Sequence, residues 1–395
     1  MFSMARHRFR PKKPSFPRSI VDLIRFFQLP AEHRQVVFYS EGKTYWVHLE
    51  GILRAYLDIS DSCICYITSD RNDPGLQLQH PKLRHFHTDE AGIRNWLFEN
   101  IDTRVMVMTM PDLHQYQVKR SKHKVHYVYL QHSLVSFHMV YRGGAFDHFD
   151  SIFCAGPHHI RETRALEAYY QLPRKNLVEH GYGRLDSIIE NRKSKVSTRD
   201  ELPAEKQQTK ILIAPSWGDD SISNTVIDDI LVGLLGAGYA VIFRPHPQTV
   251  KFCAGLIEAL DRKFSVDSAF TLEVDVSGEE SLHQSDLMIS DWSGAALDYA
   301  FGLEKPVLFV DVPRKINNPN YSDISIEPFE VGIRERIGAV LPLDEMAVLP
   351  AVVKKLLQRA SSDRIDEIRT ENVFNVETSA QAGANALKLI VEAND

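Results

Sequence analysis

The sequence predicts an α/β protein built as two mostly parallel, helix-covered sheets that face a shared cleft. Three observations carry that prediction. Short apolar runs alternate with helical patterns along most of the 395 residues, as strands joined by crossover helices do. Polar turn clusters close the apolar runs, so the loops after the strands gather at one edge of each sheet. The alternation is interrupted once, over residues 191–210, where NRKSKVSTRDELPAEKQQTK shows no apolar face. A chain of this length exceeds one ordinary core. The expected organisation is a basic flexible tail (1–20), an α/β domain (21–190), an exposed linker (191–209), a second α/β domain (210–375) and a closing helix (376–395).

In the first unit, residues 36–39 form a short β-rich run and 45–57 have helical periodicity. Residues 62–68 read as a strand, ended by the turn cluster from Ser69 to Gly75. A short helix is expected over 91–100. Strands follow over 104–110, closed by Pro111-Asp112, and over 125–130, running into Gln131-His132-Ser133. A strand at 151–155, a helix at 158–170 and a short strand at 178–180 lead to His180-Gly181-Tyr182-Gly183-Arg184-Leu185-Asp186.

The second unit opens with a strand at 211–214 that ends in Pro215-Ser216-Trp217-Gly218. A helix over 224–235 and a strand over 239–243 lead into Arg244-Pro245-His246-Pro247. A helix is expected over 250–260. The stretch from 287 to 312 is a complete crossover: an apolar run, the turn Ser290-Asp291-Trp292-Ser293-Gly294, a small-residue helix, Lys305-Pro306 and a second apolar run. Ser293 and Gly294 fall at that helix's N-terminus, where free backbone N–H groups and the helix dipole favour an anion such as phosphate. A last strand is expected at 339–341, then helix from 343 onward with a break near Ser361-Ser362.

Composition narrows the class. Hydrophobic residues at 44% and charged residues at 25% are those of a globular protein. A net charge of −6 argues against a dedicated nucleic-acid binder. Cys63, Cys65, Cys154 and Cys253 lie among apolar residues at spacings that suit neither a zinc site nor a thioredoxin-like pair. They are read as reduced, buried thiols of a cytoplasmic protein. No His, Cys, Asp and Glu cluster has metal-site spacing. No apolar run reaches the ~20 residues of a membrane span. The N-terminal arm is basic, with Arg6, Arg8, Arg10, Lys12, Lys13 and Arg18 before the first acid, Asp22. It is expected to be solvated. The sharper expectation is a weak hold on an anionic cytoplasmic membrane face, at about 1 kcal/mol per basic residue. No Walker loop, G-x-G-x-x-G fingerprint or G-x-S-x-G elbow occurs, which counts against an ATPase, a dehydrogenase and a serine hydrolase.

Taken in order, Leu130-Gln131-His132-Ser133, His180 to Asp186, Ala214 to Trp217, Arg244 to Pro247 and Ser290 to Phe309 resemble the loops of the CDP-glycerol glycerophosphotransferases. These are the teichoic-acid and capsule polyol-phosphate transferases of the bacterial cell envelope. The resemblance covers roughly residues 125–312. Three departures stand out. The family's His-Gly-Thr is His132-Ser133-Leu134 here, its Asp-Tyr-Ser-Ser is Asp291-Trp292-Ser293-Gly294, and the basic residue usual after the Trp217 position is replaced by Gly218-Asp219-Asp220.

The resemblance implies two Rossmann-like domains facing a cleft, a glycosyltransferase-B-like fold with the CDP-linked donor on the second domain. The expected enzyme is a transferase that moves a polyol phosphate, glycerol phosphate first, to a lipid-linked or saccharide hydroxyl. A sugar-nucleotide glycosyltransferase or epimerase of the same fold is the alternative, and a non-catalytic nucleotide binder the third. No cofactor is expected, because the CDP-linked donor is itself a substrate.

His132 is the expected general base, since an imidazole titrates near neutrality and such help is typically worth ~10² to 10⁴ in rate. An isolated histidine more often only hydrogen-bonds its own loop. His246 is expected to donate to the diphosphate or to protonate the departing CMP, and Arg244 to clamp phosphate oxygens. Ser216, Trp217, Asp291, Ser293 and Gly294 complete the donor-binding set, although Trp217 reads equally as a packed core residue and Asp291 equally as a loop brace. Arg184 and Asp186 are expected to support the cleft as an ion pair.

Overall fold

The computed structural model describes residues 16–88, 92–199, 208–276, 278–358 and 362–394. The first unit carries α1 (Phe16–Gln28), β1 (Val36–Ser40), α2 (Trp46–Ile59), β2 (Ile64–Thr68), β3 (Leu83–His87), α3 (Gly92–Asn100), β4 (Val105–Met108), β5 (His126–Leu130), α4 (Phe137–Val140), β6 (Ser151–Cys154), α5 (Pro157–Tyr170), β7 (Asn176–Glu179) and α6 (Gly183–Arg199). The second carries β8 (Lys210–Ile213), α7 (Ile227–Gly236), β9 (Ala240–Phe243), α8 (Pro247–Phe252), α9 (Ala254–Phe264), β10 (Phe270–Leu272), α10 (Glu280–Gln284), β11 (Leu287–Ser290), α11 (Gly294–Leu303), β12 (Val307–Asp311), α12 (Phe329–Ile337), β13 (Gly338–Pro342), α13 (Leu349–Leu357), α14 (Ser362–Asn372) and α15 (Ser379–Ala393).

Among the described residues the first sheet runs β3-β2-β1-β4-β5-β6-β7 and the second β10-β9-β8-β11-β12-β13. Every described pairing is parallel. The central strands are buried at every position because helices cover both faces, so they read as nearly continuous apolar runs without alternation. α15, although last in the chain, returns to the first unit, where it and α2 close one face of the sheet with Leu53, Tyr56, Leu387 and Ile390 in one cluster. In the second, α7, α9 and α13 close the outer face.

The remaining cluster joins the units. Leu134, Val135 and Tyr182 pack with Leu185 and Ile188 of α6, Ala296, Tyr299 and Ala300 of α11, and Ile333 of α12. α11 is buried on nearly all sides because it lies between its own sheet, α6 and α14. Its sequence, GAALDYAFGL, is built of small residues for that reason. Gly302 sits where an added Cβ would lie 2.4 Å from Ile188 Cγ2.

Four sequence expectations change here. The tail does not extend to residue 20: α1 begins at Phe16, and Ser19 is buried with its hydroxyl 3.3 Å from His87 Nδ1. The basic stretch from Arg6 to Lys13 lies outside the described residues. The linker does not begin at 191, because α6 continues to Arg199. A helix anchored by Leu185, Ile188 and Ile189 propagates into a polar segment without a new nucleation cost. The helix expected over 250–260 is two, α8 and α9, meeting at Cys253. β3 and β10 were not expected; both are edge strands, short or polar enough to hide the strand pattern. The four cysteines are unpaired, with Cys65 and Cys154 buried.

Candidate functional site

The second sheet has the 3-2-1-4-5-6 order of a dinucleotide-type fold, with its switch point between β8 and β11. Ligands of such sheets sit outside the strand ends at that point. Asp291, just after β11, bridges it. One carboxylate oxygen accepts from Ser216 N at 2.7 Å, and the other accepts from Ile222 N at 3.1 Å. The side chain is 1% exposed, and burial raises its pKa against those hydrogen bonds. Asp291 is therefore the brace of the β8 loop, and its expected contact with the donor is withdrawn. The brace holds Ser216 in place and turns the Trp217 ring outward. Trp217 is 40% exposed, so it is not a core residue.

Arg244 is also corrected. Its guanidinium donates to Ser281 Oγ at 2.9 Å, Val276 O at 2.6 Å and Gly278 O at 2.8 Å, and Glu273 is 3.9 Å away. It is buried and ties the segment after β10 to the end of β9, so the expected phosphate fork is already occupied by protein groups. His246 is placed differently. It caps α8, with Nδ1 accepting from Gln248 N at 3.1 Å. That bond puts the ring proton on Nε2. Burial, with help from nearby Lys315, pulls the ring down to about 4. At neutral pH His246 is a neutral N–H donor, suited to a phosphate oxygen and not to delivering a proton. Its ring lies 6.1 Å from that of Trp217, tilted by 34°.

Ser293 is the N-cap of α11, its hydroxyl accepting from Ala295 N at 3.3 Å. The loop after β5 comes against this helix start from the other unit. A Cβ built on Gly294 would meet Ser133 Oγ at 2.7 Å. Ser133 Oγ therefore occupies the space that a side chain at position 294 would need. His132, next to Ser133, is half-buried among Tyr45, His48, Tyr129 and Tyr141. Its Nδ1 is 3.0 Å from Tyr129 Oη, and its backbone carbonyl accepts from Tyr182 Oη at 3.0 Å. Burial lowers its pKa to about 4, opposed by the Thr109 main chain. The imidazole is neutral at pH 7, held between Tyr129 Oη and the Thr109 main chain.

Arg184 and Asp186 do not pair with each other. Arg184 Nε donates to Asp298 of α11 at 2.9 Å, joining the units in a buried contact. Asp186 accepts from Glu377 N at 2.7 Å and from Ser379 N at 3.0 Å and Oγ at 2.6 Å, which seats the start of α15. Sequence reasoning missed two further braces. Glu330 of α12 holds Ser136 through its backbone N–H at 2.8 Å and its hydroxyl at 2.7 Å, and Glu162 holds Phe137 N at 2.5 Å. Burial and the neighbouring Glu162 push Glu330 up to about 6. His48, stacked on Tyr182 beside His132, was also missed. A helical histidine in the 45–57 pattern gave no signal. Lys315 was missed although it follows a strand end. Among the described residues no three metal-ligating side chains gather, and no helix is long and apolar enough to cross a membrane.

Two parallel sheets whose strand-end loops meet across one cleft define a glycosyltransferase-B-like fold. Solved structures agree on the fold. The chain is similar to the wall teichoic acid polymerase TagF, in a variant soaked with CDPG, at TM-score 0.57 and 15% identity, over 96% of this chain and 94% of that one. It is similar to UDP-GlcNAc 2-epimerase of Methanocaldococcus jannaschii in complex with UDP-GlcNAc and UDP, at TM-score 0.57 and 14% identity, over 91% and 99%. The Neisseria meningitidis UDP-GlcNAc 2-epimerase follows at TM-score 0.55 and 12% identity, over 91% and 100%. No curated protein matches the sequence. Residues 146–314, less than half of the chain, match the model described as CDP-Glycerol:Poly(glycerophosphate) glycerophosphotransferase. The match contains four of the five motifs and leaves the His132 loop outside.

Proposed function

We propose that the protein transfers a polyol phosphate, glycerol phosphate first, from a CDP-activated donor to a hydroxyl acceptor in cell-surface polymer synthesis. The observation that supports this most is the meeting of the His132 loop with the start of α11, where Ser133 Oγ fills the space beside Gly294. A base from one unit and an anion-binding helix start from the other then share one site. The acceptor hydroxyl attacks the phosphorus that carries the polyol. Its proton passes to the neutral imidazole of His132, the phosphoanhydride bond breaks, and CMP leaves. The α11 N–H groups, Ser293, Ser133 and His246 Nε2 stabilise the charge that develops. A lipid-linked or saccharide acceptor, and a weak hold of the basic N-terminal arm on an anionic membrane face, are part of the same reading.

The test is turnover with CDP-glycerol, CDP-ribitol and UDP-sugars, with and without a chelator, following CMP and UDP. CMP release that needs a polyol or saccharide acceptor is expected, and His132→Ala lowers it by ~10² or more. UDP release without CMP moves the protein to the sugar-nucleotide class of its epimerase neighbours. Full activity in His132→Ala removes that residue as the base.

A further inference from the structure

Arg244 is engaged by protein groups, so a diphosphate in the donor cleft needs a cation from elsewhere. Arg314 and Lys315 both line the pocket there, and of the two Lys315 is the one held over an aromatic ring and away from water. Lys315, on the loop after β12, holds its ammonium 4.3 Å from the centroid of the Trp217 ring. The two line a pocket of about 210 Å³ with Ser216, Trp292, Arg314 and Asn317. Asp219 and Asp220 line the same pocket. Among the described residues Lys315 has no ion-pair or hydrogen-bond partner. Asp291 is near enough to act on it electrostatically, but both carboxylate oxygens already hold backbone N–H groups.

We propose that Lys315, resting on the Trp217 ring, is the cation that binds the diphosphate of the nucleotide donor. The inference rests on the reading of this cleft as the seat of a nucleoside-diphosphate donor. An ammonium without a carboxylate, partly removed from water, is held at a cost that an arriving anion relieves. The face of the indole keeps the charge in place through a cation–π contact without neutralising it. Burial lowers the Lys315 pKa to about 8, so the group is still charged at neutral pH, and an anion would raise it again. His246 Nε2, beside Trp217, offers a second donor to the same oxygens. The geometry also accounts for the missing basic residue after Trp217. The chain has Gly218-Asp219-Asp220 there, and the charge arrives from the β12 loop, one residue beyond the stretch that matches the family model.

The test is calorimetric binding of CDP, CMP and inorganic pyrophosphate to the full chain and to K315A and K315R, with thermal melts of all three. A lysine bonded to phosphate predicts CDP binding roughly tenfold to a hundredfold weaker in K315A. K315R should stay within severalfold of the parent, and the melts should be unchanged. Equal CDP affinity in the parent and K315A overturns the assignment of Lys315 while the donor reading stands. Pyrophosphate binding that needs Lys315, with CDP no tighter than pyrophosphate, supports the lysine and removes the cytidine donor. A parent that binds neither diphosphate overturns both.

Discussion

Replacing Gly302 with alanine tests whether the contact between α6 and α11 sets the geometry of the cleft. The ideal Cβ at this position would lie 2.4 Å from Ile188 Cγ2, 3.0 Å from Ile188 Cβ and 3.4 Å from Leu185 Cδ1. Ordinary contact begins at 3.4 Å, so the two helices must part by about 1 Å. Rotation of Ile188 cannot relieve this, because its Cβ is itself too close. Overpacking of this kind costs typically 1–3 kcal/mol. The gain of about 1 kcal/mol from replacing glycine within a helix offsets part of it. A net loss of roughly 2 kcal/mol is expected at the upper end of that range. The effect on rate should be larger in proportion. α11 carries Ser293 and Gly294, and α6 follows the unit that carries His132, so a shift of about 1 Å between the helices separates base from phosphate site and costs ~10²-fold in turnover. Ile188→Ala alone opens a cavity and costs about 2–5 kcal/mol. In the double variant the new methyl fills part of that space, so the two costs fall short of additive by at least ~0.5 kcal/mol. Denaturant unfolding and CMP release from CDP-glycerol, measured on the parent, both single variants and the double, complete the cycle. Parent-like stability and rate in Gly302→Ala, or strictly additive costs in the double, would refute the argument.

Asp291→Ala leaves the Ser216 and Ile222 N–H groups buried without partners, each at about 1–3 kcal/mol. Faster amide exchange at both residues and weaker nucleotide binding are expected, with Asp291→Asn intermediate. Unchanged exchange removes the bracing role. Stability should also fall in mild acid. His132, His180 and His246 are held down to about 4 and His159 to about 3, with His48 and His158 also well below the ordinary value, all chiefly by burial. The unfolded chain binds those protons near 6.5. The histidines' contribution is therefore fully present above about pH 6.5 and is lost as pH falls towards 4. Glu330, raised to about 6 by burial, works the opposite way over part of that window. Melting temperatures measured from pH 8 to 4 should drop over 6.5–4, and a flat profile would contradict the burial of the imidazoles.

The local pattern of the chain was enough to predict the fold class. Apolar runs closed by polar turns mark parallel strands because helices cover both faces of each sheet. Ligand loops of such sheets follow the strands, so Ser216, His246, Ser293 and His132 could be proposed from their positions together with the resemblance of the loops. Residues at one strand end share a neighbourhood whatever the distant chain does. Partner choice does not follow from position. Arg244 reads as a phosphate ligand until Val276, Gly278 and Ser281 close on it. Asp186 reads as the mate of Arg184 until α15, 193 residues further on, takes both its oxygens. Asp291 is drawn off by the loop after β8, and Lys315 is brought over Trp217 by a loop almost a hundred residues away. A charged or polar side chain is satisfied by whichever group reaches it first in space, and in a two-unit fold that group comes most often from another element. The sequence therefore decided which loops face the cleft, and the packing of the two units decided which side chains remain free in it.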